Sequence, residues 1–80
     1  MTLADYTDDI PEDLAPSSLF VLRVLVDNGP MTTPQLRRET LLSIRTVNLA
    51  IDRLRDEGLV ESKPDIAEPR RQEHSATLTK

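Results

Sequence analysis

The stretch "LLSIRTVNLAIDRL" (residues 41–54) decides the fold of this 80-residue chain. Its apolar residues recur at three- and four-residue spacing, which predicts one buried face of an α-helix. These residues are Val47, Ala50, Ile51 and Leu54. Ser43 can cap the first turn, and Gly58 can end the helix directly after Glu57. The sequence therefore predicts a helix over residues 43–57.

The outward face of this helix has an unusual composition. In its first turns, Ile44 and Leu49 accompany Arg45 and Asn48. Arginine can donate two hydrogen bonds to guanine, asparagine can pair with adenine in the same way, and apolar side chains can contact thymine methyl groups. This mixture is typical of a helix that reads the DNA major groove. The alternative is an ordinary solvated face, with Ile44 packed on the preceding helix.

A second helix precedes this one, and the connection between them is short. Thr32 and Gln35 have the spacing of a capping box, and Pro34 fits an early helical position where its missing N–H is not needed. Leu41 and Leu42 then form the turn. Helix, tight turn and helix make a helix-turn-helix unit, whose second helix enters the major groove.

The first helix is predicted in "SSLFVLRVLVDNGP" (residues 17–30), with Ser17 or Ser18 as its cap and "NGP" as its stop. Four residues fit the side that faces the other helices: Phe20, Val21, Val24 and Leu25. Three more form a second apolar stripe: Leu19, Leu22 and Val26. A helix that is apolar almost all round is normally covered on both sides. We therefore expect the second stripe to form a homodimer interface; the alternative cover is Ile10 and Leu14.

After Gly58 the helical spacing gives way to alternation. Two antiparallel strands are predicted, "LVESK" (residues 59–63) and "SATLT" (residues 75–79). The polar stretch "PDIAEPRRQEH" (residues 64–74) contains two prolines and is expected to be the loop between them. With a short strand before the second helix, the predicted fold class is mainly α with a small β-hairpin. It is a winged helix-turn-helix, a three-helix core plus a wing.

Charge is distributed unevenly along the chain, whose formal net charge is −4. Residues 1–16 carry five acidic and no basic residues, whereas the remainder carries ten basic and nine acidic residues. We therefore predict an acidic N-terminal tail over residues 1–16 and one domain over residues 17–80. The tail is either a solvated arm or partly ordered through Ile10 and Leu14. The acidic total does not exclude nucleic acid, because the local field at the contact surface decides binding.

Several classes of protein are not expected from this composition. The chain has no cysteine and a single histidine, His74, which we expect to be exposed beside a strand. No paired acids, nucleophile with a base, glycine-rich loop or metal-ligand spacing is present, so neither an enzyme nor a metal or other cofactor is predicted. No apolar run approaches 18 residues, and the N-terminus is acidic where a signal peptide would be basic. We expect a cytoplasmic protein without membrane association.

About fifty contiguous residues resemble the DNA-binding core of the MarR family of transcriptional regulators. They read "GPMTTPQLRRETLLSIRTVNLAIDRLRDEGLVESKPDIAEPRRQEHSATLT" (residues 29–79), and "SIRTV…AIDRL…EGLV" is the most specific part. The pattern looks closer still to short winged-helix regulators of haloarchaea, and eight arginines against two lysines fit a protein of concentrated salt. The resemblance implies a winged-helix fold and double-stranded DNA as the partner.

The wing supplies a second set of candidate contacts. Arg70 and Arg71 are expected to reach the minor groove, whose negative potential attracts arginine, or else to pair with Glu68 or Glu73. Arg37, Arg38 and Arg53 are each a candidate for phosphate contact or a plain surface charge. The complete predicted DNA-binding set is Thr33, Ser43, Ile44, Arg45, Thr46, Asn48, Leu49, Arg53, Arg70 and Arg71.

Together these features predict a sequence-specific transcriptional regulator that acts as a repressor. The helix at residues 43–57 is expected to read the major groove, and the wing at residues 64–74 the minor groove. The alternative is a winged-helix module that binds another protein within a transcription-related complex. Members of the MarR family enclose a ligand pocket with helices that flank the winged core, and this short chain offers no such room. We therefore do not expect a small-molecule effector; the alternative is a pocket at the dimer interface.

Overall fold

In a computed structural model of the protein, residues 10–68 and 71–77 are described. Three helices and three short strands follow one another in the predicted order. They are α1 (Pro16–Asn28), β1 (Met31–Thr32), α2 (Thr33–Thr40), α3 (Ile44–Asp56), β2 (Val60–Pro64) and β3 (Gln72–Ala76). The winged helix-turn-helix arrangement predicted from the sequence is therefore observed, including the short strand before α2.

The ends of α2 and α3 are set by hydrogen bonds between near neighbours in sequence. Thr32 and Gln35 form the predicted capping box, in which each side chain accepts from the other residue's backbone N–H. The Ser43 hydroxyl accepts from the Thr46 backbone N–H at 3.1 Å, so Ser43 caps α3 as predicted. Gly58 then adopts a positive φ of 72° just beyond α3. The sequence predicted both caps because the residues bonded in each lie only three positions apart.

The turn between α2 and α3 contains a strained residue. Leu41 has a left-handed backbone, with φ of 59°, and its N–H donates to the Arg37 carbonyl at 2.9 Å. Leu42 is partly buried against the core, whereas the side chain of Leu41 is 89% exposed. A Cβ is unfavourable in this backbone region, and glycine is the residue usually found there. The sequence pattern predicted a turn here but did not predict this conformation.

The three strands form one antiparallel sheet in the order β1-β3-β2. The central strand, β3, places His74 opposite Met31 on one side and opposite Ser62 on the other. The sheet thus joins the chain before α2 to the wing. Contacts of β1 and β2 with the same strand hold the wing beside the helix-turn-helix rather than leaving it as a free hairpin.

The predicted position of β3 was wrong by three residues. The strand begins at Gln72 rather than at Ser75, and the loop is correspondingly shorter than residues 64–74. His74, expected to be exposed, is a buried residue of the central strand and only 3% of its surface is exposed. Period-two spacing explains the burial, since His74 and Ala76 point to the same side of β3. The stretch "QEHS" is polar, so the strand was not predicted to begin at Gln72.

The orientation predicted for α1 was partly wrong. Val21, Val24 and Leu25 are buried as expected, but Leu22 is fully buried as well and Phe20 remains 43% exposed. Ser18, Val21, Leu22 and Leu25 follow the i, i+3, i+4, i+7 spacing of one helix face, which explains why Leu22 faces inward. Leu22 therefore cannot form the predicted dimer surface.

The start of α1 also differs from the prediction. Neither Ser17 nor Ser18 caps the helix; Ala15 is the N-cap, it forms no side-chain capping bond, and Ser18 is buried inside the helix. Upstream of this point, Leu14 belongs to the hydrophobic core and Ile10 packs against it. The described part of the predicted tail therefore lies against the body. Residues 1–9 lie outside the described residues.

Candidate nucleic-acid interface

The N-terminus of α3 is held rigidly by its own side chains. Besides capping the helix, the Ser43 hydroxyl donates to the Thr46 hydroxyl at 2.9 Å. Thr46 is half-buried and Ser43 is exposed, so their hydroxyls fix the first turn at the surface. A helix N-terminus favours negatively charged groups because its backbone N–H groups and dipole point outward. This end of α3 is therefore suited to lie against a phosphate backbone.

Four exposed side chains follow on the outward side of α3: Ile44, Arg45, Asn48 and Leu49. Within the described residues, neither Arg45 nor Asn48 forms a hydrogen bond or ion pair through its side chain. No group in the described part of the chain therefore occupies either polar side chain. The exposed Ile44 also argues against its packing on α2. The arrangement can present a guanidinium, an amide and two apolar groups to one surface.

A shallow groove of about 510 Å³ lies at the turn that leads into α3. It is lined by Arg37, Arg38, Leu41, Leu42 and Ser43. The groove brings two arginines of the last turn of α2 close to the cap of α3. Their positive charge extends the surface next to the helix N-terminus, where a phosphate would be attracted.

Ion pairing separates the basic residues into two groups. Arg23, Arg53, Arg55 and Lys63 each pair with a carboxylate. Within residues 10–68 and 71–77 the remaining basic residues form no ion pair, and they lie on the helix-turn-helix and the wing. They are Arg37, Arg38, Arg45 and Arg71. The unpaired positive charge of the described chain is thus confined to the two modules that the sequence assigned to DNA.

Arg53 is placed differently from the other predicted contacts. Its guanidinium contacts Asp13 at 3.3 Å and Glu57 at 3.1 Å, so two carboxylates already neutralise it. This contact also ties the acidic N-terminal segment to α3. A phosphate would therefore have to compete with these two carboxylates for Arg53 in its predicted role in DNA binding.

The loop at the tip of the wing, between β2 and β3, is closed by backbone hydrogen bonds. The Asp65 N–H donates to the Arg71 carbonyl at 2.8 Å, and the Arg71 N–H donates to the Glu68 carbonyl at 2.9 Å. The Asp65 carboxylate also accepts from the Ala67 N–H at 3.2 Å. These bonds hold Arg71, whose side chain is exposed, in a defined turn. Arg70 lies outside the described residues.

One buried imidazole joins the wing to the helix-turn-helix. In His74, Nδ1 lies 2.7 Å from the Ser62 hydroxyl of β2, and Nε2 lies 2.8 Å from the Thr33 hydroxyl of α2. Each hydroxyl can donate or accept, so the neutral ring satisfies both nitrogens in either tautomer. The predicted DNA-binding residue Thr33 thus uses its hydroxyl inside the protein. Sequence reasoning missed this network; the alternation of buried residues around His74 was the available signal.

Burial lowers the pKa of His74, because the charged imidazolium loses hydration. The nearby Arg55 guanidinium on α3 lowers the pKa of His74 further, whereas the Asp52 carboxylate opposes the shift. Asp52 and Arg55 pair with each other at 3.1 Å. The ring is therefore kept neutral chiefly by its buried position.

Comparisons with known proteins support the same interpretation of the fold. A sequence model described as the MarR family matches residues 12–72. A probable transcriptional regulator from Pseudomonas aeruginosa is 28% identical, with a TM-score of 0.79 over 92% of this chain and 56% of that one. Bordetella bronchiseptica BpsR, whose DNA binding is regulated by 6-hydroxynicotinic acid, is 27% identical, with a TM-score of 0.78 over 92% and 54% of the two chains.

A mutant of Escherichia coli MarR shares the fold at 22% identity, with a TM-score of 0.79 over 91% of this chain and 52% of that one. This chain therefore spans about half the length of these solved structures. No curated protein matched the sequence. In the part of the chain that the structure describes, no helix is long and apolar enough to cross a membrane.

Proposed function

This chain belongs to the MarR family, and from that premise we propose that it is a sequence-specific DNA-binding transcriptional regulator that acts as a repressor. The exposed side of α3 reads the major groove, with Arg45 on guanine and Asn48 on adenine. The wing approaches the adjacent minor groove through Arg71 and Arg70. Repression follows if the occupied site overlaps a promoter.

One observation carries the proposal. Within the described residues, the arginines without an ion pair are those of α2, the start of α3 and the wing. Leaving guanidinium groups unpaired on a chain with a net charge of −4 is useful where phosphates or bases are to be bound. Ser43 and Thr46 add a rigid helix N-terminus beside them.

The proposal is tested by fluorescence anisotropy with the duplex upstream of this protein's own gene and a random duplex of equal length. Arg45→Ala should weaken binding to the upstream duplex by about 1–3 kcal/mol, or roughly 5- to 150-fold, because a bidentate base contact is lost. Arg23→Ala is the matched control, since Arg23 pairs with Asp27 on α1. Equal, weak binding to both duplexes would contradict the proposal and favour a protein-binding module.

Salt dependence tests a finer part of the proposal. We also propose that the protein acts in concentrated salt, as its lysine-poor, acidic composition supports. Phosphate contacts lose affinity as salt rises because releasing counterions into a more concentrated salt solution gains less free energy. We therefore expect the preference for the upstream duplex to persist in near-molar potassium chloride through base contacts. Loss of this preference at high salt would exclude action in concentrated salt and would leave the proposed DNA binding intact.

The proposed assembly is a homodimer that reads two half-sites. Leu22 is unavailable to it, but Leu19 and Val26 are only partly buried and Phe20 is exposed on the same helix. Phe20→Glu should lower the mass measured in solution if α1 forms the interface, whereas Lys63→Ala, at an exposed position of β2, should leave it unchanged. An unaltered mass for Phe20→Glu would place the interface elsewhere or indicate a monomer.

BpsR argues against the prediction that no small molecule acts on this chain, because 6-hydroxynicotinic acid regulates the DNA binding of that relative. The shared fold makes this aromatic carboxylate a reasonable probe. Adding 6-hydroxynicotinic acid to the anisotropy titration tests the point directly. A shifted affinity would establish effector control, and an unchanged affinity would restrict that ligand to the relative.

A further inference from the structure

We infer that His74 is a positioning residue of the DNA interface, which holds the wing in a fixed orientation relative to the helix-turn-helix. This inference rests on the proposed function. It concerns a residue that would not touch DNA itself, since only 3% of its surface is exposed. Its effect on DNA would pass through the two modules that its ring connects.

The contacts of His74 span parts of the chain that are distant in sequence. Thr33, bonded to Nε2, lies 41 residues away at the start of α2. Ser62, bonded to Nδ1, lies 12 residues away on β2. The imidazole is rigid and its two nitrogens point in fixed directions, so both hydroxyls must keep their places together. A change in the angle between wing and α2 would break one of the two bonds.

Packing alone would not require a polar ring here. A buried polar group is unfavourable unless its hydrogen bonds are formed, and an apolar side chain would avoid that requirement. Within the described residues, every buried side-chain nitrogen and oxygen has a partner. What the histidine adds over an apolar residue is directional contact. That contact joins the wing, which carries Arg71, to α2, which the short turn connects to α3.

The charged groups around the ring come from α3. Arg55 and Asp52 act on it from that helix in opposite senses. From α2, β1 and β2 the ring faces Thr33, Met31 and Ser62, none of which is charged. The charged residues that alternate with these on the strands, such as Glu73 and Lys63, are exposed. On α1, Arg23 and Asp27 pair with each other in solvent. A proton on the ring would therefore be stabilised mainly by Asp52, which Arg55 already neutralises.

Footprinting separates the two modules. Protection of guanine N7 from dimethyl sulfate reports α3 in the major groove, and hydroxyl-radical protection reports the wing at the minor groove. Ser62→Ala and His74→Gln should each lose minor-groove protection while keeping guanine protection, at protein concentrations that saturate the upstream duplex. Affinity should fall about twofold to tenfold, as expected for losing one neutral hydrogen bond. Ser75→Ala is the matched control, because Ser75 is the neighbour of His74 on β3 and its side chain has no hydrogen bond within the described residues.

A pH profile provides the second readout. Minor-groove protection by the unaltered protein should weaken as the ring gains a proton, because a charged ring is unfavourable at this buried position. Any protection that His74→Gln retains should not change with pH. If both footprints vanish together in Ser62→Ala, or both persist, the inference is overturned. If the unaltered protein leaves no footprint on the upstream duplex, the proposed function itself fails. Circular dichroism of each variant establishes that it is folded at the temperature of the assay.

Discussion

The helix-turn-helix and the wing of this protein are held by contacts of very different range. In the helix-turn-helix, Ser43 bonds Thr46 and Thr32 bonds Gln35, each three residues away. In the wing, the corresponding role falls to His74, whose partners lie 12 and 41 residues away. Local caps can form as soon as a helix starts, whereas the position of the wing is defined only after the sheet and α2 have come together. The difference also explains why one module was predicted more accurately than the other.

The largest effect is expected from a cavity in the core that the helix-turn-helix and the wing share. Leu36 on α2 is fully buried, so Leu36→Ala should lower the free energy of unfolding by about 2–5 kcal/mol. Because Leu59 and Val60 at the base of the wing belong to the same core, hydrogen-exchange protection of β2 should fall with that of α2. Leu49→Ala, at an exposed position of α3, is the control and should change stability by less than about 0.5 kcal/mol. Protection retained in β2 alone would show that the wing unfolds independently.

Removing one local cap should have a smaller effect. Ser43→Ala deletes the acceptor for the Thr46 N–H and should cost about 1 kcal/mol of stability, measured by urea denaturation. Ser17→Ala offers a matched serine at the start of α1, where the cap is Ala15 and no capping bond exists. That control should be nearly neutral. Equal costs for the two variants would mean that the observed cap contributes nothing specific.

Leu41→Gly is expected to act in the opposite direction. The left-handed backbone at Leu41 strains a residue with a Cβ by about 1–2 kcal/mol, and glycine removes that strain while adding roughly 0.5–1 kcal/mol of chain entropy to be lost on folding. The net result should be a gain of up to about 1.5 kcal/mol, seen as a higher melting temperature. Leu41→Ala keeps a Cβ and should remain close to the unaltered protein. A lower melting temperature for Leu41→Gly would contradict this account of the turn.

Protonation of His74 is expected to have the smallest effect on stability. Burial lowers the pKa of His74 in the folded state below the value of 6.5 for an unperturbed histidine. The unfolded chain therefore binds this proton more readily, and the stability that depends on neutral His74 is complete above the unfolded pKa and declines as the pH falls through the folded one. Urea midpoints measured between about pH 7.5 and about pH 5 should decrease, and His74→Gln should remove part of that decrease. An identical profile for His74→Gln would contradict the assignment.

Features with short-range causes were predicted correctly. The capping box at Thr32 and Gln35, the Ser43 cap and the positive φ of Gly58 depend on residue type and spacing alone. The exposed set on α3, including Arg45 and Asn48, followed from helical periodicity for the same reason. Its assignment to bases remains a prediction.

Errors arose where one residue had two acceptable environments. Leu22 fits either the core or an outer stripe by its hydrophobicity, and only the position of α1 against the other helices places it inside. His74 reads as a loop residue from its polar neighbours, and only its partners Ser62 and Thr33 make burial acceptable. Sequence spacing could not reveal these partners because they come from separate elements.

By itself, therefore, the sequence determined the three helices, the caps of α2 and α3 and the presence of a wing, because each rests on hydrogen bonds and periodicity within a few residues. The tertiary structure alone decided the register of β3, the inward face of α1 and the attachment of the wing to α2. These three features depend on which distant side chains meet: a buried ring nitrogen needs a hydroxyl at hydrogen-bond distance, and a buried leucine needs a complementary core. Folding of the whole chain brings those groups together.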